Sequence, residues 1–226
     1  MTSKYGSQNS VSSENQLAQE EYFSIYEENG EIKVLFVGNS ITKHGPAPDI
    51  GWNGNWGMAA SEMNKDYVHL IVSELKKYHS VDYSIAQCSK WETKYWDTEN
   101  IMNTYYKSAR EFDADIIVIR IGENIKSIDN KEICKLSFQK MIEFFNKSKK
   151  AKIIVTNLFW NHTVLNKIIE DVSIENGYIF CDISDLEMDE RTMAIGEYDH
   201  NGVAVHPSDY GMKCIADRIK FCIGQI

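Results

Sequence analysis

Short apolar runs and amphipathic segments alternate along this chain, and that alternation constrains its fold more than any other feature. Strands are expected at residues 33–37, 81–86, 116–121, 152–157 and 178–182. Each run is short, β-branched or aromatic, and bounded by charge, Gly or Asn. Helices are expected at 59–78, 98–112, 131–149, 164–176 and 208–223. In the third of these, Phe138, Met141, Ile142 and Phe145 keep the spacing of an amphipathic helix. The run Ile32-Lys33-Val34-Leu35-Phe36-Val37 alternates poorly, so it reads as a strand buried on both faces. Such alternation implies parallel strands joined by right-handed crossovers. The expected architecture is α/β, a three-layer α/β/α sandwich around a five-stranded parallel sheet, over residues 31–226 as one domain. Residues 1–30, rich in Ser, Gln, Asn and Glu, read as a polar arm with a short helix around 16–26.

The bulk numbers narrow the function classes. A chain of 226 residues suits one domain with a full hydrophobic core. A formal net charge of -9 argues against nonspecific nucleic-acid binding and against an anionic membrane surface. The five cysteines (Cys88, Cys134, Cys181, Cys214, Cys222) are odd in number and form no C-x-x-C pair. They indicate neither a zinc site nor a disulfide framework, and read as free thiols in a reducing compartment. No stretch has the length of a membrane helix, and the N-terminus lacks an apolar signal core, so a cytoplasmic location is expected. His200 and His206 have no acidic or thiol partner at ligand spacing; neither a metal nor a cofactor is expected.

Three blocks carry chemistry. The first strand runs into Gly38-Asn39-Ser40-Ile41-Thr42. Gly38 and Asn39 tolerate the backbone angles of a tight turn. That turn lifts the Ser40 hydroxyl to the carboxyl edge of the sheet, where open α/β folds bind ligands. A serine hydroxyl needs a neighbouring base to become a useful nucleophile. The third strand ends in Gly122-Glu123-Asn124, which brings an amide to the same edge as a candidate oxyanion donor. His206 directly precedes Pro207 and Ser208, a candidate N-cap of the last helix, and is thus held as a base must be. The loops 43–56 and 185–205 are long, and both belong at that edge.

In this order the blocks resemble those of the SGNH (GDSL-like) hydrolase family, over about residues 32 to 224. Block I corresponds to Gly38-Asn39-Ser40-Ile41-Thr42, with Asn39 where Asp is usual, block III to Gly122-Glu123-Asn124, and block V to the residues from Val203 to Ser208. The resemblance implies a flavodoxin-like five-stranded sheet, Ser40 as nucleophile, Asn124 as an oxyanion-hole donor and His206 as general base. It also implies an esterase, with many family members removing acetyl groups from carbohydrates.

The chain departs from the family pattern twice. Val203 stands where the triad Asp is usual. Either Ser40 and His206 act as a dyad, or Glu197, Asp199, Glu123 or Glu92 supplies the acid, or a backbone carbonyl holds the imidazole. The block II glycine is also missing, so a backbone N–H of Ser89 or Lys90 is the expected second donor, beside Ser40's own. Trp52 and Trp56 lie among Gly and Asn, and Trp91 follows the second strand; with Asn39 they form the expected sugar-binding group. The leading expectation is a serine esterase acting on a carbohydrate or other small ester. The alternative is a catalytically degenerate member that binds a glycan or a protein. The arm and the loop aromatics permit a homo-oligomer.

Overall fold

The computed structural model describes Gln16 and residues 22–224. Their sheet has six strands: β1 (Phe23–Tyr26), β2 (Ile32–Gly38), β3 (Val81–Gln87), β4 (Ile116–Arg120), β5 (Lys152–Thr156) and β6 (Ile179–Cys181). The spatial order is β1-β3-β2-β4-β5-β6. β2 through β6 are parallel, as the alternating pattern requires.

The sixth strand corrects the sequence reading. Phe23–Tyr26, inside the stretch expected as helix, pairs antiparallel with β3. Its alternation is too brief to register as a strand, but β3 offers an open edge whose hydrogen bonds it completes. Tyr26 stacks on Tyr83 directly across the pair at 4.5 Å, and the Ser84 hydroxyl donates to the Ser24 carbonyl. Asp82 Oδ1 accepts from the N–H groups of Glu28 and Gly30, fixing the turn into β2. Residues 17–21 of the expected helix lie outside the described residues.

Eight α-helices of the described residues flank the sheet: α1 (Tyr67–Leu75), α2 (Ser89–Thr93), α3 (Thr98–Tyr105), α4 (Lys107–Glu111), α5 (Lys131–Phe145), α6 (Thr163–Asn176), α7 (Asn201–Ala204) and α8 (Asp209–Ile223). Leu35, Val37, Ile117 and Ile119 point to the face covered by Phe138 and Met141 of α5 and Ile169 of α6. Val34, Phe36 and Val118 point to the other, against Ile71 of α1 and Ile215 and Ile219 of α8. Both faces are apolar, which explains the poor alternation of β2. Each such side chain contributes about 1.5–3 kcal/mol by leaving water.

Three expected helices are shorter than their patterns; the one expected to reach 149 ends at Phe145. α1 starts at Tyr67, because Asp66 caps it and accepts from the N–H of His69 as well as that of Gly57. The segment 98–112 breaks at Tyr106, whose buried hydroxyl donates to the Gln87 carbonyl. No helix among the described residues is long and apolar enough to cross a membrane.

From β2 the chain moves to β3 on one side and returns to β4 on the other. Such a reversal, at the carboxyl ends of β2 and β4, is the place where doubly wound sheets take ligands. Gly38 and Arg120 face each other there in register.

Candidate active site

The turn after β2 is fixed by its own backbone. Thr42 and Lys43 both donate their N–H groups to the Asn39 carbonyl, and Met58 donates to that of Ser40. Gly38 permits this closure: a Cβ there would lie 1.8 Å from Thr42 Oγ1 and 2.8 Å from the Arg120 carbonyl oxygen. Ser40 is buried, with its hydroxyl 2.8 Å from His206 Nε2.

His206 is held from several directions. Its N–H donates to the Val203 carbonyl and its own carbonyl accepts from Ala194. Ser208 caps α8 through the Gly211 N–H, as expected. Nδ1 donates to the Gly202 carbonyl at 2.6 Å, which leaves the Nε2 lone pair facing Ser40. Trp160 stands edge-on to the imidazole with ring centres 5.0 Å apart, anchored by its indole N–H on the Val205 carbonyl. Burial pushes the imidazole pKa down to about 3; His44 and Arg120 act the same way, and the Gly202 carbonyl opposes them. His206 is therefore neutral at neutral pH, as a proton acceptor must be.

None of the four candidate carboxylates occupies the Nδ1 position. Glu197 and Asp199 are exposed, and Val203 packs in an apolar cluster with Trp52, Met58 and Ala194. Glu92 and Glu123 are committed elsewhere. The Arg120 guanidinium, fully buried at the end of β4, donates to Glu123 Oε1 at 2.6 Å and to Asn39 Oδ1 at 2.6 Å. The Asn39 amide donates to Glu123 Oε2 at 2.6 Å and to Glu92 Oε1 at 2.9 Å. Glu92 also accepts from the N–H groups of Gly122 and Asn124 and from Asn124 Nδ2. Burial and the Glu123 charge push the Glu92 carboxyl up to about 7, against the pull of these amides.

This network corrects further expectations. Asn39 is buried with its amide spent inside the protein, so it is unavailable to a sugar. Trp91 lies in the core beside Phe138 with its indole N–H on Thr98. Trp52 is likewise buried, edge-on to Trp56, and donates to the His44 carbonyl. Trp56 keeps partial exposure but donates its N–H to the Ala60 carbonyl. These indoles hold the loop onto the body of the protein, because each finds a backbone or hydroxyl acceptor when it turns inward. The Ser89 N–H donates to Gln87 Oε1 at 3.1 Å, which removes it from the second-donor role.

Sequence reasoning missed four residues. Arg120 closes an apolar strand and reads as a strand-end charge. Trp160 and His44 lie outside every motif. His44 is buried with Nδ1 on the Gly45 carbonyl, Nε2 without a partner, and its pKa lowered by burial. Gln16 is buried at the same edge; its side-chain carbonyl accepts from Gln87 Nε2 and its backbone carbonyl from the Gly45 N–H. Among the described residues, no group of three or more His, Cys, Asp and Glu side chains is placed to hold a metal ion.

No family model matches the chain, and no curated protein matches its sequence. Solved structures do match its fold. An acetyl xylan esterase, AlAXEase, shares 17% identity at a TM-score of 0.53, over 85% of this chain and 100% of its own. A family two carbohydrate esterase from Clostridium thermocellum, solved with cellohexaose, shares 15% identity at a TM-score of 0.57, over 88% of this chain and 66% of its own. A family 3 carbohydrate esterase from the same organism shares 18% identity at 0.51, over 86% and 98%. The fold implied by the resemblance to SGNH hydrolases is the fold this chain shares with these carbohydrate esterases.

Proposed function

We propose that the protein hydrolyses an acyl ester through a Ser40–His206 dyad. The carrying observation is the chain of contacts from the Gly202 carbonyl through both imidazole nitrogens to the Ser40 hydroxyl. His206 Nε2 takes the Ser40 proton as the oxygen attacks the acyl carbonyl carbon. The Ser40 N–H, the Lys90 N–H and the second N–H of the Asn124 amide are the donors assigned to the resulting oxyanion. Collapse expels the alcohol, which takes the proton from His206. Water, deprotonated by the same nitrogen, then attacks the acyl-serine and releases the acid. Asn124 suits its role because its side chain stays partly exposed while Glu92 holds one end.

The favoured substrate is an acetylated carbohydrate. Its support is the fold shared with several carbohydrate esterases, among them a two-domain esterase active on acetylated mannans, with a TM-score of 0.54 at 13% identity. The replacement of the triad acid by Val203 favours the second reading, a binder of glycan or protein.

Hydrolysis of 4-nitrophenyl acetate and fluorophosphonate labelling, read by intact mass, test the dyad in wild type and Ser40→Ala. One adduct on wild type, lost with the activity in Ser40→Ala, is the expected result. Acetate release from acetylated xylo- and manno-oligosaccharides then tests the substrate class. No adduct and no turnover would overturn the enzyme and leave the binder.

A further inference from the structure

Glu92 was a candidate for orienting His206, yet it lies at the centre of the opposite half of the site. Every group that touches its carboxylate is a donor. Oε1 takes three: Gly122 N at 2.7 Å, Asn39 Nδ2 at 2.9 Å and Asn124 N at 3.2 Å. Oε2 takes one, Asn124 Nδ2 at 2.5 Å. A carboxylate suits four donors, whereas a carboxylic acid does not. The proton would go to Oε2, which has spare lone-pair capacity. There it leaves Oε2 a neutral and weaker acceptor, so the charge-assisted bond that holds the Asn124 amide loosens.

We infer that Glu92 is a positioning residue for the hydrolysis proposed above: ionised, it aims the Asn124 amide at the oxyanion, and protonated, it lets that amide go. The inference rests on the hydrolase reading and adds a pH-dependent hold on the oxyanion site.

The surroundings set where the switch falls. Glu123 faces Glu92 across the Asn39 amide and carries the like charge that, after burial, most favours protonation. Arg120 lies beyond it, paired with Glu123 and bonded to Asn39 Oδ1. Cys88 and Tyr106 also face the carboxylate, and burial pushes both far up, so they stay neutral throughout. Glu92 therefore changes charge close to neutrality, at about 7, while His206 does so far below, at about 3. An acid limb of activity near neutral pH belongs to Glu92 and not to the base.

The test follows the side-chain amide signals of Asn124 by 15N–1H spectroscopy in the full chain, assigned by their loss in Asn124→Asp, over about pH 5 to 9. This readout needs no turnover. The expected result is a titration with a midpoint near 7 in wild type, flat in Glu92→Gln, and moved to lower pH in Glu123→Gln, where the like charge is gone. In parallel, kcat for an acetyl ester should lose its acid limb in Glu92→Gln and fall roughly 100- to 1,000-fold, as for loss of one oxyanion donor, with KM nearly unchanged. Should Glu92→Gln fail to fold, wild type and Glu123→Gln carry the test. Asn124 signals that stay flat in wild type, beside Ser40-dependent turnover, would overturn the positioning role alone. Absence of Ser40-dependent turnover at every pH would overturn the hydrolase reading and this role together.

Discussion

The His206 imidazole donates from Nδ1 to the carbonyl oxygen of Gly202 at 2.6 Å, four residues earlier in the chain. A peptide dipole thus holds the place that a carboxylate holds in a full triad. It fixes the tautomer as well as a carboxylate does, but it would bring no full negative charge to the imidazolium that the proposed attack forms. The turn that supplies it is short and internally bonded: Val203 and Ala204 both donate to the His200 carbonyl, and His206 donates to that of Val203.

Restoring the acid by Val203→Asp should therefore harm the protein. Val203 is fully buried among Trp52, Met58 and Ala194, and the Nδ1–H is already taken. An uncompensated buried charge costs about 3–5 kcal/mol, which is roughly 6–20 °C in Tm for a domain of this size. Calorimetry should show that loss, with activity below wild type. A rise in kcat with unchanged Tm would mean that the turn can open to admit a carboxylate.

His206 also shapes stability against pH. Its folded pKa, about 3, lies below the unfolded value, so between roughly 6.5 and 3 the unfolded chain holds a proton that the folded one refuses. Its contribution is fully present above that window and is lost as pH falls through it. Glu92 has the opposite sign: its folded pKa, about 7, lies above the unfolded value near 4.5, so its contribution declines as pH rises through that interval. Urea midpoints for His206→Gln should lose part of the fall toward acid, by an amount on the order of a few kcal/mol. Those for Glu92→Gln should fall more steeply than wild type between pH 6.5 and 4.5. Parallel profiles in all three proteins would contradict both assignments.

Gly38→Ala tests the turn without touching a functional group. Its Cβ would overlap Thr42 Oγ1 and press on the Arg120 carbonyl, and the carbonyl belongs to a central strand that cannot yield. Overpacking of this kind costs about 1–3 kcal/mol. Fluorophosphonate labelling of Ser40 should drop sharply, because the turn that presents it must shift. Labelling at the wild-type rate would show that the turn adapts.

Much of the site was legible because its signals are local. A strand that ends in Gly-Asn-Ser and a histidine before a capped helix each announce their geometry within a few residues. The parallel sheet followed from the apolar runs. What stayed hidden depends on which way a side chain turns. Trp52 and Trp91 stand at the right edge of the sheet but face inward, and a tryptophan between Gly and Asn gives no sign of its direction. The strand Phe23–Tyr26 exists through its partner β3 more than through its own pattern. Gly202 contributes a carbonyl, a group every residue has, so no residue type marks it. The Arg120 network had one sign in the sequence: a charge inside the run Ile116-Ile117-Val118-Ile119-Arg120-Ile121, where a strand buried on both faces tolerates none without a partner.

That partner makes Arg120 the strongest stability prediction. The guanidinium is fully buried, its Nε has no hydrogen-bond partner, and its two terminal nitrogens hold Glu123 and Asn39. Arg120→Met would leave the Glu123 carboxylate buried without a counter-charge, close to Glu92. The expected loss is about 3–5 kcal/mol in urea unfolding. Adding Glu123→Gln should return most of it, because the cost lies in the orphaned charge and not in the missing guanidinium. The double variant should still lose activity, since Asn39 Oδ1 would keep only the long contact from the Ile41 N–H, and its amide would no longer hold Glu92 in place. Recovery of both stability and turnover in the double variant would show that Arg120 serves only to neutralise Glu123. Recovery of stability alone would show that it also orders the amides around Ser40.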